Sequence, residues 1–224
     1  MSVRQHVGMF TGIPADAFDF YEELAADNTK AWWTENKARY EAHVREPVEA
    51  LLTSLAEEFG PTAKIFRPYR DVRFSKDKTP YKTNLGATTT DKDGSVWYLA
   101  LSPDGLYVGG GYYRMAKDQV AAFRAAVVDD TTGAALERVI ATAEKAGFEV
   151  GGEQLKRVPP GFDKEHPRGR FLRHKGLYLG RQLDPAAWMG TRKAADRVAA
   201  LWRDLRPVQA WLHAHVGPST LPDR

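Results

Sequence analysis

Residues 66–86, FRPYRDVRFSKDKTPYKTNLG, constrain this chain more than any other stretch. Arg67, Arg70, Arg73, Lys76, Lys78 and Lys82 stand there against Asp71 and Asp77, so the segment carries +4 while the whole 224-residue chain carries only +3. Phe66, Tyr69, Phe74 and Tyr81 are threaded between the charges. A solvated loop has little use for four aromatics, and a core strand has little use for six cations. Two outcomes follow from that mixture. Either the cations converge on an anionic ligand beside aromatic surface, or they form ion pairs that pin strand and loop to neighbouring helices.

From Lys64 the pattern has a period of two. It predicts a strand with Phe66, Arg70, Val72 and Phe74 on one face and Arg67, Tyr69, Asp71 and Arg73 on the other. Pro68 restricts it to a sheet edge or an irregular start. Residues 75–83 read as a loop, because Lys, Asp and Pro are poor strand residues and Pro80 blocks a helix. Asp71 is placed to hold one guanidinium, Arg67 or Arg73, and leave the other for a ligand.

Before this segment the spacing is helical. Pro14 opens a helix with Phe18, Tyr21 and Leu24 in register, and Asp27-Asn28 ends it. Thr29 caps the next helix, where Trp33, Lys37, Tyr40 and Val44 share a face until Pro47 ends or kinks it. Trp33 belongs to the core by this spacing, and Trp32 falls on another face. A third apolar stripe, Val48 to Leu55, runs to Gly60.

After it, Leu85–Thr89, residues 95–101 and residues 106–114 are β-rich runs. Ser102-Pro103-Asp104-Gly105 supplies turn chemistry for a hairpin between the last two, and Asp91–Gly94 a turn before them. Gly109-Gly110-Gly111 marks a bulge or a close approach to the backbone. Helices follow at 118–128 and 132–146, then a short strand after Phe148, a short helix from Asp163 through Leu172, and a strand at 177–179. Asp184-Pro185 opens a closing helical region broken at Pro207. The sum is a single α+β domain over 1–224, a central antiparallel meander packed by amino-terminal and carboxy-terminal helices.

Composition narrows the function classes. The chain has no cysteine, so disulfides, thiolate metal sites and cysteine nucleophiles are excluded. No apolar run suits a signal peptide or a membrane span, which predicts a cytoplasmic protein without membrane contact. The overall charge is too mild to imply nucleic-acid binding without a local patch. A second basic cluster, His166, Arg168, Arg170, Arg173, His174 and Lys175, is the natural partner for the first.

The leading expectation is a site for a phosphorylated or otherwise anionic small molecule. Arg67, Arg70 and Arg73 would orient it, Lys76, Lys78 and Lys82 neutralise it, and Arg173, His174 and Lys175 close over it. An enzyme at the same site is the alternative, with Asp71 or His174 as the acid–base group and Tyr81 as a hydroxyl donor. Nucleic-acid binding and a purely structural ion-pair network remain open. Ser75-Lys76-Asp77-Lys78 matches a serine–lysine nucleophile pattern, but Pro80 opposes the helix it needs. The pairs His166/His174 and His213/His215 lack a third ligand at metal spacing, so neither a metal nor another cofactor is implied.

The chain resembles a bacterial family catalogued as a domain of unknown function. The resemblance rests on Phe10 with Gly12-Ile13-Pro14, Trp33 with Asn36-Lys37-Tyr40, the 66–86 motif, the hairpin with Gly109-Gly110-Gly111-Tyr112-Tyr113, Leu155–Pro159, and Phe171–Gly176. It covers roughly residues 10–213 and implies a cytosolic protein of mixed helix and sheet. It implies no activity and no catalytic residue.

Overall fold

The computed structural model describes residues 9–73 and 75–221. Phe74, and residues 1–8 of the amino-terminal stretch, lie outside them. The fold is α+β. Helices α1 (Asp16–Ala26), α2 (Lys30–Arg39), α3 (Glu46–Ser54) and α4 (Ala56–Phe59) precede strands β1 (Thr62–Ile65), β2 (Leu85–Thr90), β3 (Val96–Ser102) and β4 (Gly105–Tyr112). Then come α5 (Lys117–Val128), α6 (Asp130–Lys145), β5 (Glu149–Gly151), α7 (Gly169–Leu172), β6 (Leu177–Leu183) and α8 (Lys193–His215). The strands form one antiparallel sheet in the order β1-β2-β3-β4-β6-β5.

Contacts divide the chain into two compact units interleaved in sequence. The first holds the described residues up to 91 with 98–108 and 182–200, and the second holds 92–97, 109–181 and the residues from 201 on.

In the first unit Thr29 caps α2 as its spacing predicts, its hydroxyl accepting the Trp32 N–H at 3.2 Å. Pro47 does not break the helical run. Tyr40–Arg45 forms a π-helical segment between α2 and α3, and the Glu46 N–H bonds back five residues to the Glu41 carbonyl. The wider turn accommodates a proline ring that would otherwise press on the carbonyl four residues earlier. Phe20, Tyr21, Trp33, Tyr40 and Val44 are buried together, and Trp32 is only half-buried.

The predicted strand through residue 74 stops at Ile65. Beyond it the chain and its return arm are joined only at intervals: Phe66 N–H to Gly86 O at 2.9 Å, Lys82 N–H to Pro68 O at 2.8 Å, and Arg70 N–H to Pro80 O at 2.9 Å. Pro68 and Pro80 lack the N–H groups a continuous ladder requires, so β1 and β2 extend into a loosely stitched arm rather than longer strands.

The Pro103-Asp104 turn, in the first unit, closes the predicted hairpin, and the glycines that follow it in the second unit allow close packing. A Cβ on Gly110 would lie 2.8 Å from the Gln209 amide nitrogen, which itself donates to Val96 O at 2.6 Å. Gly111, at φ +129°, abuts the backbone of Leu177 and Tyr178. The stretch from Asp163 is a run of turns, with helix only at Gly169–Leu172. Helix α8 continues through Pro207, where a break was predicted. Its buried positions Val198, Leu201, Leu205, Val208 and Leu212 keep one stripe across the proline, so burial of that face outweighs the local cost.

A candidate anion-binding site

The cations of the 66–86 arm are largely engaged within the arm. Arg70 donates through Nη1 to the Asp77 carboxylate and the Thr79 hydroxyl. Asp77 also accepts the Thr79 N–H at 2.9 Å and its hydroxyl at 2.8 Å, and these bonds, with Arg70, hold its pKa down to about 2. Arg73 makes a two-point contact with Asp71 at 3.0 and 2.8 Å, which lowers the Asp71 pKa. Lys78 donates to Val72 O at 2.9 Å, and the Lys82 ammonium lies 5.9 Å from the centre of the Phe66 ring. Arg67 and Lys76 are exposed. Ser75 and Lys78 sit in loop, not on a helix.

Tyr69 and Tyr81 of the arm both lie against Trp33. Tyr81 is buried and stacked on Trp33, and the half-exposed Tyr69 lies against both. The Asn28 side chain grips the Tyr81 backbone twice, accepting its N–H and donating to its carbonyl, each at 3.0 Å. Burial raises the Tyr81 pKa, so its hydroxyl stays protonated at neutral pH.

The second cluster divides into two groups with different surroundings. Arg168 is buried and structural. Its Nε donates to Val127 O at 2.6 Å, and its Nη2 donates to Val128 O at 3.2 Å and to the Asp130 carboxylate at 3.0 Å. It thereby occupies the carbonyls at the end of α5, where helix partial charge is negative. Gly133 makes the room, since a Cβ there would come within 2.5 Å of Nε. His174 is also buried, its Nδ1 donating to Gly176 O at 2.9 Å, and burial lowers its pKa so the ring is neutral. Lys175 pairs with Glu153 at 2.7 Å on the surface.

Arg173, by contrast, opens on a cavity of about 480 Å³ that it shares with Lys156, Arg157, Lys164, His166 and Arg170. Val158, Pro167 and Gly169 complete the wall, and no carboxylate lines it. Arg170 stacks on the Phe171 ring at 4.4 Å and reaches Glu144 at 3.3 Å, an exposed pair of little strength. The Arg168 N–H donates to His166 Nδ1 at 3.0 Å, so in the neutral ring the proton sits on Nε2 as a donor.

Two short segments position these groups. Leu155 N–H bonds Arg173 O at 2.8 Å and Lys175 N–H bonds Glu153 O at 2.7 Å, around the antiparallel bridge Gln154–His174. His174 is buried in the core, while Arg173 lines the cavity and Lys175 lies at the surface with Glu153. Lys156, Arg157 and Lys164 were not among the predicted site residues. Their signal was present, because Lys156-Arg157 runs into Pro159-Pro160 and cannot be a buried strand. The arm around residues 66–86 belongs to the first unit and this cavity to the second.

Among the described residues no helix is long and apolar enough to cross a membrane. No curated protein and no solved structure matches the chain. The model of a conserved hypothetical protein family, DUF2461, whose function is unknown, matches residues 16–211. The match spans most of the chain's length, and the chain belongs to that family.

Proposed function

We propose that the protein binds a phosphorylated or otherwise anionic small molecule in the cavity walled by Lys156, Arg157, Lys164, His166, Arg170 and Arg173. One observation carries the reading: five cations and an imidazole donor line a single concave space without a carboxylate among them. Arginine forks suit the paired oxygens of phosphate or carboxylate, and lysines add point charge. A volume of about 480 Å³ fits a small ligand. Arg70, Arg73, Lys78 and Lys82 make their contacts within the 66–86 arm, and none of the arm's cations lines this cavity, which moves the site away from Arg67, Arg70, Arg73, Lys76, Lys78 and Lys82. Asp71 and Tyr81 lie in that arm, and His174 faces the core, so the reading is of binding rather than acid–base catalysis. Phosphorylated metabolites are most abundant in the cytoplasm, where we place the protein.

A thermal-shift screen with inorganic phosphate, sulfate, sugar phosphates, nucleotides and short oligonucleotides tests it, since a ligand of the folded state raises Tm by mass action. A shift with small phosphorylated compounds that disappears in Arg173→Ala supports the site. A shift confined to oligonucleotides would move the reading to nucleic acid, and a shift unchanged in Arg173→Ala would remove the cavity from consideration.

A further inference from the structure

A second basic cavity, of about 610 Å³, opens in the same unit. Arg114, Lys117, Arg124 and Lys175 supply its charge, Glu153 opposes them, and Met115, Val120 and Leu155 give it an apolar wall. Arg124 is tied by Nε to Leu172 O at 3.0 Å, while Arg114 and Lys117 are exposed.

The two cavities are lined in part by neighbouring residues of the same two segments, 153–157 and 173–175. Glu153 lies opposite Lys175 and Leu155 opposite Arg173 on either side of the bridge of Gln154 with His174, so these four residues flank that bridge. Lys175, Glu153 and Leu155 line the second cavity and Arg173 lines the first. Arg173 and Lys175 flank the bridged His174 and so address neighbouring spaces along one track. Together the linings hold nine cationic side chains and one carboxylate, a net of +8. The chain as a whole is +3, so all its other residues sum to −5. Charge is concentrated on this track rather than spread over the surface.

We infer that the two cavities are the two ends of one site, and that its ligand is a small molecule with two separated anionic groups joined by a neutral linker. This rests on the proposed anion-binding reading and extends it. One anionic group sits among Lys156, Arg157, Lys164 and Arg173. The other sits among Arg114, Lys117 and Lys175, and the linker crosses Leu155 between them. Glu153 sets the strength of the second end by occupying Lys175, to which its carboxylate bonds at 2.7 Å.

The test is isothermal titration calorimetry of the full chain with inorganic phosphate and with α,ω-alkanediol bisphosphates of graded length. Bridging makes the second contact intramolecular, so affinity should pass through a maximum at one intermediate length and exceed that of phosphate by about tenfold or more. In the double variant Arg114→Ala/Lys117→Ala the maximum should vanish, and in Glu153→Gln it should rise. Two results overturn the inference: affinity that does not depend on linker length, or a maximum that survives the double variant. If either occurs while phosphate still binds, the single-anion reading stands and the bridging fails. If phosphate and every bisphosphate fail to bind, both readings fall.

Discussion

The ring of Trp33 lies nearly parallel to that of Tyr81, with 4.4 Å between centroids and 11° between planes. This stack, with the double grip of Asn28 on the Tyr81 backbone, fastens the return side of the 66–86 arm to the start of α2. Tyr81→Ala should therefore cost about 3–5 kcal/mol in urea unfolding, as other truncations of buried aromatics do. Asn28→Ala removes two bonds to backbone and should cost about 1–2 kcal/mol. Asn28→Asp keeps the acceptor for the Tyr81 N–H and should lose less than Asn28→Ala. A fully stable Tyr81→Ala protein would show that the arm is not anchored there.

Arg168 and Arg173 lie five residues apart and sit in opposite environments. Arg168 is buried against the carbonyls that end α5, and Arg173 faces a cavity. Arg168→Ala strands those buried carbonyls and should cost about 3 kcal/mol. Arg173→Ala should change stability by less than about 0.5 kcal/mol. Paired denaturant titrations decide the matter, and equal losses in the two variants would contradict the division of roles.

His174 gives a pH dependence with a definite sign. Burial lowers its pKa from the ordinary 6.5, and the nearby charges of Arg173 and Arg170 act in the same direction, against the bond to Gly176 O. Above pH 6.5 the ring is neutral in both folded and unfolded chains. As pH falls below 6.5 the unfolded chain takes up the proton first, so stability drops until the folded pKa is reached, by at most about 1.4 kcal/mol per pH unit. Asp77, held at about 2, acts in a different window: its contribution is present above the ordinary 3.8 and is lost only as pH falls below that value. Unfolding free energies between pH 5 and 7 should slope downward toward acid in the native chain and flatten in His174→Gln. An equal slope in the variant would contradict the assignment.

Local chemistry in the sequence foretold much of the fold. Thr29 as a cap, Pro103-Asp104 as a turn and the glycines at 110 and 111 act through their own backbone, so each is readable from a few residues. Pro47 and Pro207 were misleading for the opposite reason. A proline weakens a helix locally, but the apolar stripes on either side are buried far from it in sequence. The arm at 66–86 had the alternation of a strand but not the donors, and its ion pairs turned out to be internal, Asp71 with Arg73 and Asp77 with Arg70. Arg173, predicted as a site residue from its charge cluster, lines the basic cavity. Lys156 and Arg157 come beside it next to the bridge of residues 153–155 with 173–175, and Lys164 from the turns before α7, placements that composition does not announce.

The most direct test of the anion site is a phosphorus NMR titration of inorganic phosphate with the native chain and with Lys156→Ala/Arg173→Ala. Neither replaced side chain has an ion-pair partner among the described residues, so the variant should melt as the native chain does. The account predicts phosphate broadening and shift with the native protein, and an affinity at least about tenfold weaker in the variant, the loss expected when charged hydrogen bonds to an anion are removed. Equal phosphate binding by the two proteins, or none by the native chain, would contradict it.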